Sequence, residues 1–97
     1  MKTLCHLLAA LALCTHPADA AVKVATLHPI IADLVRQVGG ANVDVVEILK
    51  AGGDIHHFEP TAKDIAAMRG ARLIMASGKN LESYLGKLRD SIGAGVE

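Results

Sequence analysis

Residues 22–49 have the sequence VKVATLHPIIADLVRQVGGANVDVVEIL. The stretch begins and ends with β-branched residues that are typical of strands, and apolar residues recur at helical spacing between Pro29 and Gly39. A strand, a helix and a second strand in this order predict two parallel strands joined by a right-handed crossover. The stretch therefore places the chain in the α/β class.

The first predicted helix has one apolar face, which we expect to pack into the core. The members of this face recur at helical spacing: Ile30, Ile31, Leu34, Val35 and Val38. Pro29 suits the first helical position, where its missing N–H is not needed, and Gly39-Gly40 ends the helix. The second strand, from Val43 to Leu49, is so rich in β-branched residues that we expect it to be buried on both faces.

The rest of the chain continues the alternation of strands and helices. A glycine-marked loop, residues 51–60, leads to a helix capped by Thr61, with Asp64 at the capping-box position. A third strand is predicted from Arg72 to Ala76. A last helix is predicted from apolar residues at helical spacing: Leu81, Tyr84, Leu85, Leu88 and Ile92. The order β-α-β-α-β-α predicts a three-layer α/β half-domain with a parallel sheet of order 2-1-3 and an open edge at the third strand.

Residues 1–20 are predicted to be an export signal rather than part of the fold. Lys2 gives the positive start, Leu4 to Leu13 is mostly apolar, and Ala18-Asp19-Ala20 matches the small-residue cleavage rule. Polar residues follow too soon for a membrane-spanning helix, which needs about 20 apolar residues. Leu11 to Cys14 resembles a lipoprotein cleavage box except for one bulky leucine, so a lipid anchor is the less favoured alternative.

Composition limits the kind of partner that the chain can have. Its 97 residues suffice for one small domain, and 10 Lys+Arg are balanced by 10 Asp+Glu without a basic stripe, which argues against binding of nucleic acid. Both cysteines, Cys5 and Cys14, lie in the predicted signal, so the mature chain is expected to have neither a disulfide nor a thiolate metal site. Any metal would be bound by histidine, carboxylate, carbonyl or water.

Candidate metal-binding residues follow the predicted strands. Parallel sheets bind small molecules and ions at the carboxyl ends of their strands. His28 follows the first strand, and His56 and His57 follow the second, so all three are brought toward one edge. Imidazole nitrogens bind zinc and other divalent first-row metals. Because adjacent residues of an extended loop point in opposite directions, only one of His56 and His57 is expected to bind a given ion. Asp54 and Glu59 are candidate ligands or supporting groups.

No catalytic motif accompanies these histidines. Ser77-Gly78-Lys79 resembles the end of a phosphate-binding loop, but Leu73 stands where that loop needs glycine and Asn80 where it needs serine or threonine. Because neither a nucleophile nor an oxyanion loop accompanies His56 and His57, an exported hydrolase that uses one of them as general base is the weaker alternative, and no catalytic residue is predicted.

Three stretches carry a resemblance to a known family: Val24 to Asp33, Gly52 to Thr61, and Ala71 to Leu85. They are similar to the zinc- and manganese-specific substrate-binding proteins of bacterial ABC transporters. The middle stretch resembles the family's pattern Gly-x-Asp-Pro-His-x-aromatic-Glu-Pro, with Ile55 in place of the proline.

The resemblance implies roles for two residues of this loop. His56 would be the first metal ligand, His57 occupies a variable position, and Phe58 is the aromatic residue beside the site. It further implies that residues 21–97 correspond to the N-terminal lobe of a two-lobed protein, whose second lobe and remaining ligands have no counterpart in the sequence.

The implied function is transport without chemical turnover. A periplasmic protein would capture Zn(II) or Mn(II), zinc in preference, and deliver it to a membrane permease. The alternative from another class is a structural or interaction fragment, in which the open edge of the third strand pairs with a partner chain.

Overall fold

Three parallel strands form the sheet of the computed structural model, which describes residues 19–93 and 95–97. The elements follow in the predicted order: β1 (Val22–Thr26), α1 (Pro29–Gly39), a 3₁₀ turn (Gly40–Asn42), β2 (Val43–Glu47), α2 (Ala62–Arg69), β3 (Leu73–Met75) and α3 (Leu85–Ile92). The strand order is β2-β1-β3, which confirms the predicted α/β topology. Residues 1–18 of the predicted export signal lie outside the described residues. No described helix is long and apolar enough to cross a membrane.

The outer edge of β3 is partly occupied, although it was predicted to be open. The N–H of Glu97 donates to the carbonyl of Arg72 at 3.2 Å, and the N–H of Ile74 donates to the carbonyl of Glu97 at 2.6 Å. Glu97 thus bonds to Arg72 and Ile74, the residues on either side of Leu73, which is the hydrogen-bond pattern of two parallel strands. The edge that the interaction-fragment hypothesis needs is therefore engaged by the chain's own backbone at this position.

The main core lies between the sheet and the pair α2 and α3. Its buried members come from β1, α2 and α3 and from the residues that flank these elements and β2: Ala25, Leu27, Ile48, Met68, Ala71, Tyr84 and Leu88. Because side chains alternate along a strand, Val24 and Thr26 of β1 point to the opposite face, which α1 covers. β1 is the central strand, and its last three residues are buried. β2 lies at the edge and is only half-buried, contrary to the prediction for that strand.

The apolar face of α1 is the clearest departure from the sequence-based expectation. Ile30, Leu34 and Val38 are 65%, 54% and 89% exposed, and Ala32 is the only residue of this helix that is fully buried. Among the described residues, α1 packs mainly on β2 and β1, because α2 and α3 both pack on the other face of the sheet. The apolar face of α1 is therefore wider than the part of the sheet that packs against it.

Substitution of Val38 by lysine should change the free energy of unfolding by no more than about 0.5 kcal/mol, as is usual for exposed positions. Burial of this residue would instead make the change cost several times as much, since a charge would enter the core. Urea denaturation of the two chains, followed by circular dichroism, measures the difference. A large destabilisation would show that the α1 stripe is covered in solution.

Helix ends are set by local hydrogen bonds. The capping box predicted for α2 is confirmed, since Thr61 accepts from the N–H of Asp64 and the Asp64 carboxylate accepts from the N–H of Thr61. The last helix starts at Leu85, later than its apolar pattern suggested, because residues 81–84 form bends and a turn. They follow Lys79 and Asn80, which have positive φ angles of 54° and 62°.

Candidate metal site

The loop after β1 holds His28 as a helix cap. Its Nδ1 accepts a hydrogen bond of 3.1 Å from the N–H of Ile30, at the start of α1. A ring nitrogen that accepts carries no proton, so a neutral imidazole in this position has its proton on Nε2. Neither nitrogen then offers a free electron pair to a metal. His28 does not line the cavity described below, and the loop that contains the other two histidines is the better candidate.

The loop after β2 is organised by Asp54. One carboxylate oxygen accepts from the backbone N–H of His56 at 2.9 Å, and the other lies 2.7 Å from Nδ1 of His57. These two bonds, the one to His57 first, hold the pKa of Asp54 below its usual value. Asp54 is therefore a charged supporting group whose two oxygens are both engaged. Residues 55–57 form a turn rather than the extended segment on which the prediction of opposite directions rested.

The loop after β3 is closed by Glu82, which is not among the predicted site residues. Glu82 is 3% exposed, and its carboxylate accepts from the backbone N–H groups of Ser77 at 2.7 Å and Gly78 at 3.0 Å. The loop that resembles a phosphate site thus has its own internal anion. No signal in the sequence distinguishes Glu82 from an acidic residue on the surface.

A cavity of about 470 Å³ lies between the loop after β2 and the helices α2 and α3. It is lined by the candidate histidines and by apolar, hydroxyl and charged residues: His56, His57, Phe58, Glu59, Pro60, Ile65, Ser83, Tyr84, Lys87, Leu88 and Ser91. The ring of Phe58 packs edge-to-face on that of Tyr84, with centroids 5.5 Å apart and an angle of 69°. This aromatic contact packs the loop after β2 against the start of α3.

The described residues supply only part of a metal coordination sphere. Within residues 19–93 and 95–97, no three His, Cys, Asp or Glu side chains are grouped closely enough to hold an ion. His56, His57 and Glu59 line the same cavity, and the helix that follows is capped by Thr61 rather than by Glu59. What the arrangement offers is a fixed loop with imidazole donors beside a cavity.

The fold and this loop define an α/β protein with an imidazole-bearing site at the carboxyl ends of its strands. The model of the family described as zinc-uptake complex component A, periplasmic, matches residues 24–97. The chain therefore belongs to this family of metal ABC transporter substrate-binding proteins, which are not enzymes.

Relatives and solved structures support the same assignment. The chain is 38% identical over 79 residues to the iron-binding protein YfeA of Yersinia pestis, covering 79% of this chain and 25% of the relative. It is 36% identical over 62 residues to the manganese ABC transporter substrate-binding lipoprotein PsaA of Streptococcus pneumoniae, covering 64% and 20%. The periplasmic zinc-binding protein TroA from Treponema pallidum superposes with a TM-score of 0.73 at 26% identity, covering 80% and 29%. The chain thus spans between a fifth and a quarter of the length of these two relatives.

Proposed function

We propose that this chain captures a divalent transition metal at the loop of His56 and delivers it to the permease of an ABC importer in the periplasm. The observation that carries the proposal is the fixed turn after β2. Asp54 binds the backbone N–H of His56, and that turn lines a cavity at the edge of the sheet where parallel strands bind ligands. Zinc is the proposed cargo in preference to manganese, because imidazole nitrogen suits zinc better than it suits manganese.

The relatives' names support a metal as cargo without fixing which one. Iron, manganese and zinc each appear among them. Export is supported by the predicted signal and by the periplasmic and lipoprotein relatives. A closed zinc site needs about four ligands, so groups beyond those of residues 19–93 and 95–97 would complete the site.

The test is a calorimetric titration of the full 97-residue chain with zinc chloride, beside His56→Ala. We expect the variant to lose at least about tenfold in zinc affinity, equivalent to about 1.4 kcal/mol. His28→Asn is the matched control, because asparagine removes an imidazole but keeps a side chain that can cap α1. Circular dichroism verifies that all three chains are folded.

Only the difference between variants is assigned to the loop, since Cys5, Cys14, His6 and His16 are common to all of them. Equal zinc affinity in the wild-type chain and His56→Ala would contradict the assignment of the ligand. Absence of zinc binding by a folded wild-type chain would contradict metal capture by this part of the protein.

A further inference from the structure

We propose that Nε2 of His57 is a second metal-binding atom and that Asp54 prepares it for this role. The proposal rests on the function proposed above and deepens it, because it identifies a residue that sets the preference among metals. The family resemblance places His57 at a variable position and assigns it no role.

The contact between Asp54 and His57 fixes the state of the imidazole. The carboxylate of Asp54 can only accept, so at 2.7 Å the Nδ1 of His57 is the donor and carries the proton. In a neutral ring, Nε2 then has a free electron pair. Carboxylate, imidazole and metal in this order form a common arrangement, in which the carboxylate orients the ring and raises its basicity.

His28 shows the opposite arrangement in the same chain. Its Nδ1 accepts from the backbone of Ile30, which leaves the proton on Nε2 and no nitrogen for a metal. The two rings therefore differ in tautomer because one meets a backbone donor and the other meets a carboxylate. This difference distinguishes a structural histidine from one that is ready to bind.

His57 is also accessible and close to the proposed ligand. Its side chain is 85% exposed, so an ion reaches it without movement of the protein. The turn at residues 55–57 lets His56 and His57 line one cavity, although they are adjacent in sequence. Two imidazoles at one site make the donor set richer in nitrogen, which favours zinc over manganese. His57 is thus expected to strengthen zinc binding more than manganese binding.

The test combines proton–nitrogen correlation spectra of the imidazoles with metal titrations of the full chain. Before metal is added, we expect the Nε2–H tautomer for His28 and the Nδ1–H tautomer for His57. Addition of zinc chloride should shift the Nε2 resonance of His57 to the position of a metal-coordinated nitrogen. His57→Gln should lose about tenfold in zinc affinity and much less in manganese affinity, so that the ratio of the two falls.

Asp54→Asn tests the role of the carboxylate. Its amide oxygen can still accept from the N–H of His56, but the variant removes the charge that holds the proton of His57 on Nδ1. We expect a mixture of tautomers at His57 and a reduced preference for zinc. Adding His28→Asn to this variant should restore neither the tautomer nor the preference. If His56→Ala lowers zinc affinity, but zinc leaves the His57 resonances of the wild-type chain unshifted and His57→Gln binds zinc as tightly as wild type, the inference about His57 is wrong and the proposed function stands. If the folded wild-type chain binds no zinc, both are wrong.

Discussion

Replacement of Glu82 by alanine should lower the free energy of unfolding by about 2 kcal/mol. The carboxylate is 3% exposed and is the acceptor for two backbone N–H groups, those of Ser77 and Gly78. Without it, both donors lose their partner in a partly buried loop, and each such loss costs about 1 to 3 kcal/mol where water does not replace the acceptor. A domain of this size has a total stability of only about 5 to 10 kcal/mol.

Urea denaturation followed by far-ultraviolet circular dichroism measures this loss. Glu82→Gln is the matched variant, because it keeps the size of the side chain and one of its two acceptor oxygens, and it should fall between wild type and alanine. Exposed acidic residues in the same part of the chain, such as Asp90, should change stability by less than about 0.5 kcal/mol when replaced by alanine. A Glu82→Ala chain as stable as wild type would show that the loop after β3 does not depend on this carboxylate.

The phenol of Tyr84 should titrate about two pH units higher in the folded chain than in the unfolded chain. Burial, and after it the negative charge of Glu82, raise its pKa from 10.0 to about 12. Tyr84 is the only tyrosine and the chain has no tryptophan, so the ultraviolet absorbance of phenolate reports this residue alone. The measurement compares the pH titration of that absorbance in buffer and in concentrated urea.

The raised pKa links the stability of the fold to alkaline pH. The folded state favours the neutral phenol, so this contribution is fully present below about pH 10 and is lost as the pH rises toward 12. Glu82→Gln should move the folded titration downward by less than the full difference, because burial is the larger cause. A midpoint near 10 in a chain whose circular dichroism is still native would contradict the burial of the Tyr84 ring.

The order of elements and the ends of several helices follow from local sequence. Strand and helix differ in hydrophobic period, so β-α-β-α-β-α and the parallel sheet could be predicted, and the capping box of Thr61 and Asp64 depends on residues three apart. Likewise, the position of the candidate loop follows from the rule for carboxyl ends of strands. These features need no knowledge of distant contacts.

Features that depend on what a residue meets in space could not be predicted. The α1 stripe has the spacing of a core face, yet Leu34 and Val38 are exposed because the surface over which α1 lies is narrow. A histidine at the end of β1 is equally consistent with a ligand and with a cap, and the bond from Ile30 decides the matter for His28. Periodicity records which side of an element is apolar, but it does not record how much protein lies opposite.

The three strand exits share one feature with a kinetic consequence. Each is tied by a side-chain acceptor to backbone N–H groups: His28 to Ile30, Asp54 to His56, and Glu82 to Ser77 and Gly78. Loops held in this way have little freedom left to lose when a ligand arrives, which lowers the entropic cost of association. An ion would meet a surface that is already shaped, so differences in affinity among variants of this site are expected to arise in the lifetime of the bound state rather than in the rate of encounter.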